Sequence, residues 1–120
     1  MSKPLGLIPE GYHALDGELA IGGRRASELV AEAGCTPLFV YSRDLLNARM
    51  ERLRSVLPDR IGVNYAIKAN PHPDVVTHMD PLVDGFDIAS SGELKVALDV
   101  GVDAKPVSYT HLTLPTIYSV

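Results

Sequence analysis

Hydrophobic and polar positions alternate along the chain between helical spacing and short β-branched runs. Ala26, Leu29, Val30 and Ala33 recur at helical spacing, and Gly34 then predicts the end of that helix. The predicted strands are 18–23, 36–42, 61–70, 85–90 and 105–109, and the predicted helices are 26–33, 43–57, 73–84 and 91–101. From residue 61 onward, strands and helices alternate regularly, which predicts βαβ units, a parallel sheet and an α/β fold.

Polar residues and prolines mark the ends of the predicted helices. Ser42 is placed to cap the second helix, and Pro58 ends it. Ser90 and Glu93 have the spacing of a capping box, and Gly101 predicts the end of the last helix.

Three features of the N-terminal part favour structural roles over chemical ones. Residues 1–17, rich in proline and glycine, are expected to be irregular. The pair Gly22 and Gly23 lacks the spacing of a phosphate-binding loop and predicts a turn. Cys35 has no histidine-bearing motif around it, so we expect a small buried side chain in preference to a nucleophile.

Composition narrows the class of protein and its partners. The 120 residues predict one folded unit, with 46% hydrophobic and 22% charged residues. A net charge of −4 gives no reason to expect nucleic acid or an anionic membrane as a partner. No apolar run approaches the ~20 residues of a membrane span, and the four histidines lack metal-ligand spacing. A single cysteine fits a reducing, cytoplasmic setting.

Lys68 lies in an apolar run that is predicted to be a strand. Side chains alternate along a strand, so Lys68 should share a small, polar face with Asn64 and Ala66. In the next predicted strand, Asp87 lies on the matching small, polar face, whereas Phe86 and Ile88 form the apolar face. Both charged residues come late in their strands, where parallel sheets bind ligands. With parallel strands ~4.8 Å apart, the two side chains could meet.

Two interpretations of this lysine remain open on strand parity alone. A free amine has a pKa near ~10.4, and partial burial lowers it, which allows attack on a carbonyl to form a Schiff base. Alternatively, Lys68 pairs structurally with an aspartate or extends to the rim of the sheet.

The motif "YAIKANP" at 65–71, followed by "GFDIASSGEL" at 85–94, resembles the fold-type III pyridoxal-phosphate decarboxylases of ornithine, diaminopimelate and arginine. The resemblance covers residues 5–107. It implies that Lys68 carries pyridoxal 5'-phosphate as an internal aldimine and is the catalytic lysine, and that Asp87 lies close to it as a second cofactor-binding residue. It also implies an amino-acid substrate, whose identity the motifs leave open, and a homodimer for the intact protein. The opening "MSKPLG" and the segment "DGELAIGGR" are most similar to the subgroup associated with exosortase systems.

The resemblance also implies a fold and a division of the chain. Residues 1–35 would be a lead-in with a helix and a strand of a separate β-domain, and residues 36–108 the first part of a (β/α)₈ TIM barrel. A complete barrel takes about 250 residues, so an N-terminal fragment, inactive alone, is expected. The segment "YTHLTLPTIYSV" at 109–120 departs from the family pattern and is expected to be a non-native tail.

Other functions are weighed against the decarboxylase. Amino-acid racemases of the same barrel class typically continue "KANAYGHG" after the lysine, whereas this chain continues "KANPHPD" at 68–74, which favours a decarboxylase. A non-catalytic protein that binds pyridoxal phosphate, and an α/β domain without any cofactor, stay as further alternatives.

Overall fold

The computed structural model of the chain describes residues 7–102 and 107–109. The chain divides into two compact units, Met1–Ser55 and Val56–Val120, and each is described by itself. The first unit contains β1 His13–Leu15, β2 Glu18–Ile21, β3 Arg24–Arg25, α1 Ala26–Ala33 and nearly all of α2, Arg43–Val56. The second contains β4 Asn64–Ala66, the 3₁₀ helix Ile67–Ala69, α3 Pro73–Met79, the 3₁₀ helix Asp80–Leu82, β5 Gly85–Ile88, α4 Ser91–Asp99 and β6 Val107–Tyr109.

The three strands of the first unit form an antiparallel sheet in chain order. The predicted strand at 18–23 is confirmed as β2, and the predicted turn at Gly22 and Gly23 joins it to β3 with positive φ at both residues. β1 contradicts the irregular structure expected for residues 1–17. Asp16 and Gly17, with φ of 53° and 77°, form a second tight turn of this kind, and Asp-Gly is a strong hairpin signal.

The two helices of the first unit begin and end close to their predicted bounds. α1 matches the predicted helix 26–33, and Gly34 adopts the left-handed conformation expected at its end. The N-cap residue of α1, Arg25, makes no side-chain capping bond. In contrast, Ser42 caps α2 as predicted, because its hydroxyl oxygen accepts a hydrogen bond from the Leu45 backbone N–H at 3.4 Å.

The predicted strand at 36–42 is wrong, because this segment forms no strand. A β-branched and aromatic composition favours a strand only where a neighbouring strand accepts its hydrogen bonds, and none pairs with this segment in the described residues. Phe39, in this segment, is 86% exposed. The burial expected for Cys35 is also wrong, since its thiol is exposed in the bend that follows α1.

The second unit contains the parallel sheet that the sequence predicts. β4 pairs with β5, and β5 pairs with β6, both in parallel. Tyr65 lies opposite Phe86, and their rings meet edge to face with centroids 6.3 Å apart. The buried apolar side chains of this unit come from β5, both helices and the segments beside them: Ile67, Val76, Met79, Val83, Phe86, Ile88 and Ala97.

The helices of the second unit are shorter than predicted but have the predicted signals at their ends. Pro81 cannot donate a helical hydrogen bond, and α3 gives way to a 3₁₀ helix at Asp80. Ser90 and Glu93 form the predicted cap of α4: the Ser90 hydroxyl accepts from the Glu93 N–H, and the Glu93 carboxylate accepts from the Ala89 N–H. Gly101, at φ of 73°, ends α4 as predicted.

Some predictions fall on residues outside the described ranges. Residues 105 and 106 of the last predicted strand lie there, whereas Val107–Tyr109 form β6. Of the tail predicted at 109–120, only Tyr109 is among the described residues.

Candidate functional site

The candidate site lies at the edge of the parallel sheet formed by the carboxyl ends of its strands. Asp87 is half-buried on β5, with Ala66 opposite it on β4 and Ser108 opposite it on β6. Ala66 is the last residue of β4, and Lys68 follows two positions later. The predicted correspondence of the small, polar positions is confirmed for Ala66 and Asp87 by this register. Such edges of parallel sheets bind ligands in open α/β sheets and in barrels.

Lys68 itself does not lie in a strand, which corrects the strand predicted over 61–70. β4 ends at Ala66, and Lys68 is the middle residue of the 3₁₀ helix Ile67–Ala69, called here the Lys68 turn. Strand parity therefore stops at Ala66 and cannot assign the face of Lys68. The physical reason is a local turn just after Lys68. The Asn70 side chain accepts a hydrogen bond from the nearby His72 N–H, and such local bonds compete with strand pairing.

Three hydrogen bonds hold the chain around the Lys68 turn. The Tyr65 hydroxyl donates to the backbone carbonyl of Asn70 at 3.0 Å. The Asn70 side-chain oxygen Oδ1 accepts from the His72 N–H at 2.9 Å, and His72 Nδ1 accepts from the Asp74 N–H at 3.3 Å, which caps α3. The bonds run in series from β4, across the turn, to the first residues of α3.

Burial differs sharply between adjacent residues of the turn. Ile67 is fully buried, whereas Lys68 is exposed. The other described lysine, Lys95, is also exposed, but its Nζ pairs with Asp99 Oδ2 at 2.5 Å. Lys68 takes no part in the salt bridges found among the described residues. The predicted meeting of Lys68 with Asp87 is not among these salt bridges and stays a prediction.

This arrangement fits an amine that holds a carbonyl cofactor. Covalent attachment needs an accessible amine that is not committed to a carboxylate, on a backbone fixed by its surroundings. Lys68 combines an exposed side chain with a turn fixed by the buried Ile67 and by the hydrogen bond from Tyr65. Asp87, half-buried on the neighbouring strand, supplies a negative charge and a hydrogen-bond acceptor at the same sheet edge.

The sequence arguments missed the residues that fix the turn. Alternation along the predicted strand places Tyr65 only on the face opposite Lys68, and it gives Asn70 and His72 no role. One signal was available, because Asn-Pro is a turn dipeptide and asparagine commonly accepts a hydrogen bond from the N–H two residues on. Here that N–H belongs to His72.

A family model matches most of the region that contains this site. It describes the pyridoxal binding domain of pyridoxal-dependent decarboxylases, and it matches residues 43–114. The chain belongs to the pyridoxal-dependent decarboxylase family. The matched residues include Lys68, Asp87, the Lys68 turn and all three strands of the parallel sheet.

Curated relatives in the decarboxylase family include enzymes named for different amino acids. Diaminopimelate decarboxylase of Aquifex aeolicus is 40% identical over 94 residues, which is 78% of this chain and 22% of the relative. Lysine/ornithine decarboxylase of Selenomonas ruminantium is 38% identical over 76 residues, 63% of this chain and 19% of the relative. Ornithine decarboxylase 2 of Drosophila melanogaster is 40% identical over 67 residues, 56% of this chain and 17% of the relative.

The chain thus spans about a fifth of the length of these decarboxylases. No solved structure matches it. Among residues 7–102 and 107–109, no helix has both the length and the apolar character needed to cross a membrane.

Proposed function

We propose that Lys68 is the residue to which pyridoxal phosphate attaches covalently, and that the protein is an amino-acid decarboxylase. The observation that carries this proposal is the state of the Lys68 amine. It is exposed at the end of a parallel strand, outside the ion pairs of the described residues, within the pyridoxal-binding domain of its family. We assign Asp87 as a second cofactor-binding residue, because its half-buried carboxylate lies on the adjacent strand at that edge.

Pyridoxal phosphate supplies, when bound, an electron sink for the electrons left on Cα of an amino acid that loses CO₂. The residues of this chain contribute attachment and orientation. Lys68 provides the amine, and the Lys68 turn fixes where that amine starts. Asp87 provides an acceptor and a negative charge beside it.

Attachment is tested in the chain itself by competition among its lysines. The chain is incubated with less than one equivalent of pyridoxal phosphate, reduced with borohydride and mapped by peptide mass spectrometry. We expect most of the label on Lys68, and little on Lys95, which is also exposed but is paired with Asp99. An even distribution of label between Lys68 and Lys95 would contradict the assignment.

Decarboxylation is tested by CO₂ release from the protein expressed from the complete reading frame. The named relatives act on diaminopimelate, lysine and ornithine, so these three amino acids form the substrate set. Release of CO₂ from at least one of them is expected. Loss of optical activity without CO₂ would support the racemase, and cofactor binding with neither reaction would support a non-catalytic binding protein.

We infer further that β4, β5 and β6 are the first strands of a (β/α)₈ barrel and that β1–β3 belong to a separate β-domain. The parallel order of the former and the antiparallel order of the latter support this division. In terms of the chain, residues 1–35 form the lead-in, 36–108 the start of the barrel and 109–120 a non-native tail. Sequencing the gene beyond codon 108 tests the tail.

The same proposal includes a homodimer in the cytoplasm that acts on a small amino acid, with no nucleic-acid or membrane partner. The single cysteine, Cys35, and the net charge of −4 support the compartment and the absence of a polyanionic partner. Sedimentation equilibrium of the protein from the complete reading frame tests the dimer.

A further inference from the structure

Two side chains, those of Tyr65 and Asn70, connect the Lys68 turn to the rest of its unit. The Tyr65 hydroxyl holds the Asn70 carbonyl at 3.0 Å, and the Asn70 side chain holds the His72 N–H at 2.9 Å. From this juxtaposition we infer that Tyr65 and Asn70 are positioning residues for Lys68. The inference rests on the proposed function of Lys68 as the cofactor anchor.

The first hydrogen bond, from Tyr65, connects the turn to the strand that precedes it. Tyr65 lies within β4 opposite Phe86, and the edge-to-face contact between the two rings fixes the direction of its hydroxyl. That hydroxyl reaches five residues ahead to a backbone carbonyl, so it spans the whole Lys68 turn. Because Phe86 is fully buried, this hydrogen bond is anchored in the core of the unit.

The second hydrogen bond, to Asn70, connects the turn to the start of α3. Asn70 Oδ1 accepts from the His72 N–H, and His72 caps α3 through its Nδ1. Val76, one turn further into α3, is fully buried. The backbone of Lys68 is therefore bracketed by two segments that are anchored in the core, whereas its own side chain is exposed.

The consequence concerns the rate at which Lys68 captures a carbonyl. An amine on a fixed backbone samples fewer unproductive positions than one on a frayed loop, which favours attachment. The acceptor groups on Asn70 are its backbone carbonyl and Oδ1, so the positioning role requires an oxygen acceptor at residue 70, not the amide nitrogen.

Four variants of the full chain separate positioning from general stability. Tyr65→Phe removes the hydroxyl and keeps the ring against Phe86, and Asn70→Ala removes Oδ1. Asn70→Asp keeps an oxygen acceptor and serves as the rescue variant. Tyr41→Phe, at an exposed tyrosine of the first unit, is the matched control. Each variant is incubated with limiting pyridoxal phosphate, reduced with borohydride and mapped by peptide mass spectrometry. In a separate sample, amide hydrogen exchange is measured for the peptide that contains residues 67–70.

We expect the ratio of label on Lys68 to label on Lys95 to fall about two- to tenfold in Tyr65→Phe and Asn70→Ala, the range that loss of one hydrogen bond produces. Exchange of the 67–70 amides should accelerate by a similar factor, with no change in α4. Asn70→Asp should recover most of the ratio, and Tyr41→Phe should retain it.

The outcomes separate this inference from the proposal beneath it. An unchanged ratio in Tyr65→Phe and Asn70→Ala, with Lys68 preferred in the unsubstituted chain, would overturn the positioning role and leave the anchor intact. Equal losses on Lys68 and Lys95 would indicate general destabilisation and would also overturn it. No preference for Lys68 in the unsubstituted chain would overturn the anchor and the positioning role together.

Discussion

The two units of the chain are stabilised in different ways. In the second unit, a parallel sheet and two helices bury apolar side chains, and this unit supplies seven of the eight buried apolar residues described, the eighth being Ala20. The first unit has no other buried apolar residue among those described. It contains tight hairpin turns and exposed ion pairs, such as those of Arg25 with Glu28 and of Arg52 with Glu10.

A functional side chain is held most firmly where the surrounding chain has a buried core. Exposed ion pairs contribute little, typically below ~1 kcal/mol, whereas a fully buried large side chain contributes several times more. The candidate anchor, Lys68, directly follows the buried Ile67 in the unit that has a core.

The largest expected effect comes from the two phenylalanines of the chain, one in each unit. Phe86 is fully buried and Phe39 is 86% exposed. We expect Phe86→Ala to lower the free energy of unfolding by about 3–5 kcal/mol, enough to abolish cooperative unfolding of the second unit. Phe39→Ala should change it by less than about 0.5 kcal/mol. Urea unfolding of both variants measures this, and comparable losses would remove the contrast between the units.

A smaller effect is expected at the end of α4, where Gly101 has a φ of 73°. Gly101→Ala forces a Cβ into the left-handed region and should destabilise the second unit by about 1–2 kcal/mol. Gly92→Ala, inside the same helix with no steric conflict, should instead stabilise it by about 0.4–1 kcal/mol. Opposite shifts of the urea midpoint are predicted, and shifts of the same sign would count against the helix end as described.

The cap of α4 should matter by about 1 kcal/mol. Ser90→Ala removes the acceptor for the Glu93 N–H, so the free energy of unfolding should fall by that amount. Ser91→Ala, at the first helical position, is the matched control and should be near neutral. Thermal melts followed by circular dichroism compare the two, and an equal loss in Ser91→Ala would argue against the cap.

The smallest effect concerns pH in the first unit. The hydrogen bond from Arg25 lowers the pKa of Glu28, with the charge of Arg25 adding to it. A carboxyl whose pKa is depressed on folding contributes stability above its unfolded pKa and loses it as pH falls through the folded value. In Arg25→Gln, NMR titration should find the Glu28 pKa raised toward its ordinary value. An unchanged pKa would indicate that the pair is not formed in solution.

Much of the second unit could be predicted from sequence, because its apolar pattern corresponds to real burial. The helix cap at Ser90, the helix end at Gly101 and the parallel strands were all read correctly from local signals. The absence of a strand at 36–42 could not be predicted, since strand propensity does not reveal whether a partner strand exists. The 3₁₀ turn at Lys68 was missed because it rests on the hydrogen bonds that Asn70 makes with Tyr65 and His72, which the apolar pattern of the predicted strand does not reveal.

Of the lysines that the structure describes, we expect Lys68 alone to capture pyridoxal phosphate. Titration of Lys68→Arg and Lys95→Arg with the cofactor, followed by the absorbance of the bound form, measures this. Arginine keeps the positive charge but cannot attach the cofactor in the same way. We predict that Lys68→Arg loses the absorbance change and that Lys95→Arg retains it. Retention of the absorbance change in Lys68→Arg would show that another residue attaches the cofactor.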